Sequence, residues 1–130
     1  MLEWGTSHRY AVSVPVTFRI VVSGRERRAS RTITGITYDI SETGIGLLTN
    51  TISADGLHVY FSNDMTSQTL LEIEIQAPEG RIVTVGQTSR YLKFDGSNYS
   101  YLLGVKLMGM SVSDRSRFER LLESASKNPA

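Results

Sequence analysis

Cysteine is absent from this chain of 130 residues, which excludes both a disulfide framework and a thiolate metal site. The only imidazole ligands on offer are His8 and His58, which are far apart in sequence, so we expect no metal. A large excess of charge of one sign is also lacking, because 14 Lys and Arg residues are balanced by 13 Asp and Glu residues, which leaves a net charge of +1. A charge this small gives no overall attraction to nucleic acid or to a membrane surface.

Long apolar runs are missing as well, so we expect no membrane insertion, and Met1 to Thr6 lacks the basic start of an export signal. We therefore expect a cytoplasmic protein without a cofactor.

No local pattern pairs a nucleophile with a base, and Asp39 with Glu42 in an exposed turn has no reason for a raised pKa, so we expect no enzyme. The length suits one domain, which we place at residues 8–124, between an N-terminal extension at 1–7 and a frayed tail at 125–130.

Strict alternation of apolar residues is the strongest pattern present. It extends over Val12 to Val22, returns in Leu71, Ile73 and Ile75, and returns again between Tyr99 and Leu107. Alternation with a period of two predicts strands with one buried face. Near the C-terminus the spacing changes to that of a helix that follows an N-cap at Ser111 or Ser113, with the apolar stripe Phe118, Leu121, Leu122 and Ala125.

Turn residues divide the predicted strands. Ala77 to Gly80 predicts a hairpin into a strand at Arg81–Val85, and Asp95 to Asn98 predicts a second hairpin between Ser89–Phe94 and Tyr99–Met108. The stretch from Thr49 to Thr69 is polar apart from Leu57 to Phe61, which predicts a loop that contains one short strand. The aromatic pair in that loop, Tyr60 and Phe61, suits either a partner surface or an inward-packed lid, and of the two we expect the lid.

Asp39-Ile40-Ser41-Glu42-Thr43-Gly44 lies between two apolar runs and combines a carboxylate, a hydroxyl and a glycine. Asp39 and Ser41 can fold back onto nearby backbone N–H groups, and Gly44 can adopt a positive φ. The same groups can face a ligand, so the stretch is either a plain hairpin turn or a binding turn.

Asp39-x-Ser41-x-x-Gly44 resembles the [D/N]-x-S-x-x-G signature of the PilZ domain family, and the resemblance extends from about His8 to Leu122. It includes the strand before the turn, the exit Gly44 to Leu48, and the strand Leu103 to Leu107 ahead of the last helix. The resemblance implies an all-β fold, a six-stranded antiparallel β-barrel with a C-terminal α-helix packed on it. It also implies binding of the bacterial second messenger cyclic di-GMP.

The family's other signature, R-x-x-x-R before the first strand, is degenerate here. If Arg9 is its first arginine, the second position is Ser13; if His8 is first, the second position is Val12. Neither placement supplies two guanidinium groups, which suit phosphates and guanine edges. The run Arg27 to Arg31 has the right spacing but follows the first strand, so we interpret it as coincidental.

The resemblance implies that Arg9, Asp39, Ser41 and Gly44 bind the ligand. Arg9 would be the surviving guanidinium, Asp39 would accept from a guanine edge, Ser41 would bond a base or phosphate, and Gly44 would allow close approach. The sequence thus predicts a standalone signalling adaptor that binds cyclic di-GMP, with affinity weakened by the missing arginine, and contacts an unidentified protein. The alternative is a degenerate interaction module that no longer binds the messenger.

Overall fold

The computed structural model describes residues 8–62, 67–95 and 98–127. In chain order the elements are β1 Tyr10–Ala11, β2 Pro15–Ser23, β3 Arg28–Ala29, β4 Ile33–Ile40, β5 Gly44–Thr49, β6 Ser53–Ala54, β7 Leu57–His58, β8 Gln68–Ala77, β9 Gly80–Lys93, β10 Tyr101–Gly109 and helix α1 Val112–Ser126. The predicted extension 1–7 lies outside the described residues. The division into extension, domain and tail stays a prediction, although α1 continues past the proposed boundary and buries Ala125.

Six of the strands form a closed antiparallel barrel. Their order is β4-β5-β10-β9-β8-β2, and β2 pairs again with β4, from Pro15 opposite Ile36 to Phe18 opposite Ile33. Closure leaves none of the six with an open edge along the paired stretches, which removes the usual risk of strand-to-strand association. The predicted fold class, a six-stranded barrel with a C-terminal helix, is confirmed.

Alternate residues of the barrel strands fill its interior, as the period-two pattern predicted. The fully buried large side chains include Val16, Phe18 and Ile20 on β2, Leu71, Ile73 and Ile75 on β8, Ile45 and Leu47 on β5, and Leu103 on β10. An eight-stranded barrel is just wide enough for side chains to fill, so six strands leave less room still. A ligand of nucleotide size therefore has to bind outside the barrel.

Bulges in the strands change which residues face inward. On β4, one extra residue at Tyr38 separates the pairs Thr37 with Leu47 and Asp39 with Gly46. Thr37 is buried, and without the bulge Asp39 would share its inward face; instead Ile40 is the next buried residue. On β9 an extra residue at Ser89 acts in the same way, since Thr88 pairs with Val105 and Arg90 with Gly104.

The predicted break between Arg81–Val85 and Ser89–Phe94 is wrong, because the 14-residue strand β9 continues from Gly80 to Lys93 without interruption. Two features concealed this strand in the sequence. The inward places in its middle are held by Gly86 and Thr88 instead of large apolar residues, and the bulge at Ser89 then reverses the alternation.

The prediction for Thr49 to Thr69 is correct in part. The described part of this stretch contains the small hairpin β6–β7, and Leu57 and Val59 are buried in the hydrophobic core. Tyr60 and Phe61 do not form an inward lid, because they are 46% and 58% exposed. Their rings instead contact each other and the ring of Tyr91, with centroids 5.0 to 6.2 Å apart.

Helix α1 begins at the predicted N-cap Ser111, whose hydroxyl accepts a hydrogen bond from the Asp114 backbone N–H at 3.1 Å. The hydrogen bond that Ser111 donates, with help from Arg117, keeps the pKa of Asp114 below its ordinary value. Phe118, Leu121 and Ala125 form the buried stripe. No helix in the described parts of the chain has the length and apolar character needed to cross a membrane.

Replacing Phe118 with alanine should lower the free energy of unfolding by about 3–5 kcal/mol, because a fully buried ring leaves a cavity between the helix and the barrel. Denaturant unfolding measures this change. Val112→Ala on the same helix is the matched control, since Val112 is 88% exposed and should change stability by less than about 0.5 kcal/mol. Equal losses in the two variants would show that the helix does not pack as described.

Candidate functional site

The turn between β4 and β5 is built around Ser41. Its side chain is fully buried, and its Oγ accepts hydrogen bonds from the backbone N–H groups of Thr43 at 3.4 Å and Gly44 at 3.1 Å. The Ser41 backbone N–H donates to the Gly44 carbonyl at 2.9 Å. The predicted serine turn is therefore present. Its hydroxyl is engaged inside the turn, so a direct contact between Ser41 and a ligand stays a prediction.

Gly44 does not have the expected positive φ; among the described glycines only Gly56 and Gly80 have one. The structure gives another reason for a glycine here. A Cβ on Gly44 would lie 2.8 Å from the carbonyl oxygen of Val105 on the neighbouring strand, a distance that real Cβ atoms do not show. The same Cβ would be 3.8 Å from Nη1 of Arg9, so Gly44 opens the surface directly beside that guanidinium.

Arg9 and Asp39 form a two-pronged ion pair outside the barrel. Nε of Arg9 donates to Oδ2 of Asp39 at 2.9 Å, and Nη2 donates to Oδ1 at 2.8 Å. The third nitrogen, Nη1, lies 3.5 Å from Oγ of Ser41. Asp39 thus accepts from Arg9 and does not make the expected turn to its own backbone. Three of the four predicted site residues are in direct contact, and Gly44 lies beside them.

The short strand β1 brings Arg9 to this position. Tyr10 pairs with Ile40 and Ala11 with Asp39, so the residue before β1 reaches the end of β4. The ion pair is only partly exposed, at 18% for the Arg9 side chain and 21% for Asp39. A paired geometry with two parallel hydrogen bonds is stronger and better defined than a single exposed contact.

Gly46 is a residue of this site that the sequence did not indicate as one. It pairs with Asp39, and a Cβ there would lie only 2.4 Å from Oδ1 of the carboxylate. The spacing Gly44-x-Gly46 could have indicated this site in the sequence, because it leaves two outward-facing positions of one strand without side chains. Beyond Gly46, the same outward row continues across β10 at Gly104 to Arg90 on β9.

The two placements of the degenerate arginine motif differ in the structure. Ser13 is exposed, whereas Val12 is partly buried and packs against the core. The coincidental arginines are elsewhere: Arg27 pairs with Glu72, and Arg31 pairs with Asp55 near the opposite end of β4. The interpretation of these arginines as unrelated to the site agrees with their positions.

Within residues 8–62, 67–95 and 98–127, no three His, Cys, Asp or Glu side chains are grouped as metal ligands would be. His58 is held in its own turn, because its Nδ1 accepts from the backbone N–H groups of Tyr60 at 3.0 Å and Phe61 at 3.2 Å. Burial also lowers the pKa of His58, which favours the neutral ring.

Comparison with known proteins identifies the fold. The family model described as PilZ domain matches residues 6–124. Curated proteins gave no significant match. Among solved structures, the chain is similar to the PilZ domain of YcgR from Escherichia coli with c-di-GMP, at 16% identity and a TM-score of 0.63, over 96% of this chain and 93% of that one.

Two further structures are similar. One is the PilZ domain of CeSA from a cellulose-synthesizing bacterium, at 16% identity and a TM-score of 0.53, over 91% of this chain and 97% of that one. The other is MrkH of K. pneumonia in its apo state, at 15% identity and a TM-score of 0.53, over 96% of this chain and 51% of that one. At such low identities the structural similarity establishes the fold alone.

Gly46→Ala should lower the melting temperature by several degrees, because its methyl group would have to displace the Asp39 carboxylate that Arg9 holds. Thermal unfolding measures the shift. Gly109→Ala is the matched control, since a Cβ there meets nothing within 4 Å and should be neutral or slightly stabilising. Equal melting temperatures for the two variants would argue against the close packing of Asp39 on Gly46.

Proposed function

The chain belongs to the PilZ domain family, and on that premise we propose that it is a cyclic di-GMP receptor that binds its ligand at the Arg9–Asp39 pair. The observation that carries the proposal is the pair itself. Two residues that are 30 positions apart meet through hydrogen bonds of 2.8 and 2.9 Å, on the outer face, beside the turn that resembles the family's binding signature. The similar PilZ domain of YcgR was solved with this ligand.

Each proposed role follows from the hydrogen-bonding capacity of the group. A carboxylate has about four acceptor sites, so Asp39 can keep both bonds to Arg9 and still accept from the edge of a guanine. One edge of the Arg9 guanidinium is paired with Asp39, and the face of a guanidinium can stack on a base while its edge is paired. Ser41 fixes the turn, and Gly44 leaves space for the ligand to approach Arg9.

The missing second arginine should weaken binding. One hydrogen bond to a charged group is worth about 1.5–3 kcal/mol, which corresponds to roughly tenfold to a hundredfold or more in affinity. We therefore propose weaker binding than the complete signature would give. In this proposal the domain has no catalytic role and acts as an adaptor. Ligand binding changes the surface that an unidentified protein partner contacts. The lack of cysteine suits the reducing cytoplasm, where we place this role.

A second candidate function is a degenerate interaction module that does not bind the messenger. The exposed rings of Tyr60 and Phe61 favour it, because aromatic residues are common where proteins contact each other. Under this alternative the Arg9–Asp39 pair has only a structural role. Ligand titration separates the two candidates directly.

Isothermal titration with cyclic di-GMP, with GTP and cyclic di-AMP as controls, should show saturable binding selective for cyclic di-GMP. Arg9→Ala should weaken it at least about 100-fold, because the guanidinium that stacks on the base is lost and Asp39 is no longer held by its two hydrogen bonds. Arg31→Ala is the control, because the ion pair of Arg31 with Asp55 lies near the far end of β4. The affinity of this variant should stay within about twofold of that of the unsubstituted protein. Thermal unfolding of each variant checks the fold. Binding that survives Arg9→Ala unchanged would place the ligand elsewhere.

Ser13→Arg should strengthen binding about tenfold, because it restores a guanidinium at the second position of the arginine signature. The exposed position of Ser13 allows this substitution without loss of packing. Val12→Arg should instead destabilise the domain, since Val12 packs against the core. The same titration and melting experiments test both. Stronger binding by Val12→Arg alone would favour the placement that begins at His8.

A further inference from the structure

We propose that Lys106 on β10 binds a phosphate of the ligand and supplies the cation that the degenerate arginine signature lacks. This inference rests on the proposed function and goes further by naming a contact that neither family signature contains. Lys106 lies 97 positions after Arg9 in the sequence, so only the barrel brings the two near one turn.

The register between β5 and β10 places Lys106 opposite Gly44. Directly paired residues in an antiparallel sheet have Cα atoms about 4.5–5.5 Å apart and project from the same face. Leu103 and Val105 point into the core and Lys106 is exposed, so its side chain leaves the barrel on the outer face. Gly44 has no side chain to separate it from Arg9, whose Nη1 lies beside that glycine.

The charges around the turn also favour a phosphate contact by Lys106. Cyclic di-GMP carries two phosphates, yet the charge of Arg9 is offset by Asp39 in the ion pair. Arg115 serves the turn itself, since its Nη1 donates to the Glu42 carbonyl at 3.4 Å. Within the described ranges, Lys106 takes part in none of the ion pairs. Its ammonium group is therefore available to an anion above Gly44.

The residue type fits the task. An ammonium on a four-carbon stem is a mobile point charge that binds phosphate without the fixed geometry of a guanidinium. Arg9 is held in place by Asp39 and Ser41, whereas Lys106 can adjust to the position of the phosphate. The site would thus combine one preorganised cation with one adaptable cation.

The test is titration of the unsubstituted protein and of Lys106→Gln, Lys106→Arg and Lys93→Gln with cyclic di-GMP, at low and physiological salt. Lys106→Gln should bind about tenfold more weakly, and its affinity should depend less on salt because one charge contact is gone. Lys106→Arg should retain affinity within about threefold, since it keeps the charge. Lys93→Gln is the matched control, because Lys93 pairs with Tyr101 at the other end of β10.

The outcomes separate this inference from the proposed function. If the unsubstituted protein binds and Lys106→Gln changes neither the affinity nor its salt dependence, the role of Lys106 is overturned while the receptor function stands. If Lys93→Gln weakens binding as much as Lys106→Gln, the effect is one of overall charge and the specific contact is overturned. If the unsubstituted protein shows no binding, both the proposed function and this inference are overturned.

Discussion

The constraint on which this structure depends is the alternation of inward and outward residues around a small closed barrel. With six strands, the inward places are filled by side chains, so any site for a nucleotide has to be on the outside. Strict alternation would nevertheless turn Asp39 inward, together with Thr37. The bulge at Tyr38 adds one residue to β4, and this single residue reverses the orientation of Asp39. The candidate site exists because the alternation is broken at that point.

Once Asp39 faces outward, the neighbouring residues have little freedom. Its carboxylate occupies the space over Gly46, where a Cβ would come within 2.4 Å of it, and it accepts two hydrogen bonds from Arg9. The ion pair is partly buried, so its members are held more firmly than an exposed pair would be. Such preorganisation lowers the entropy cost of binding, which matters for a site that has only part of the family's arginine signature.

The two proposed cations differ in how they are fixed. Arg9 is fixed by contacts that are present without ligand, and those contacts also neutralise its charge. Lys106 has its charge available but lacks a fixed position. A ligand with two phosphates would gain orientation from the first and electrostatic attraction from the second. In the proposed site, this division would let one complete signature and one degenerate signature bind the ligand together.

The sequence by itself determined the strand and helix faces and the place of the turn, because these depend on residues close together in the chain. Alternation identified β2, β8 and β10, the helical stripe identified α1, and Asp39-x-Ser41-x-x-Gly44 located the turn. Where the alternation is interrupted, as in β9, the local sequence pattern did not predict one continuous strand. Only the tertiary structure decided that Arg9 forms an ion pair with Asp39, that Ser41 is buried, and that Lys106 lies opposite Gly44. These are matters of register between distant strands, and register is set by how the whole barrel closes.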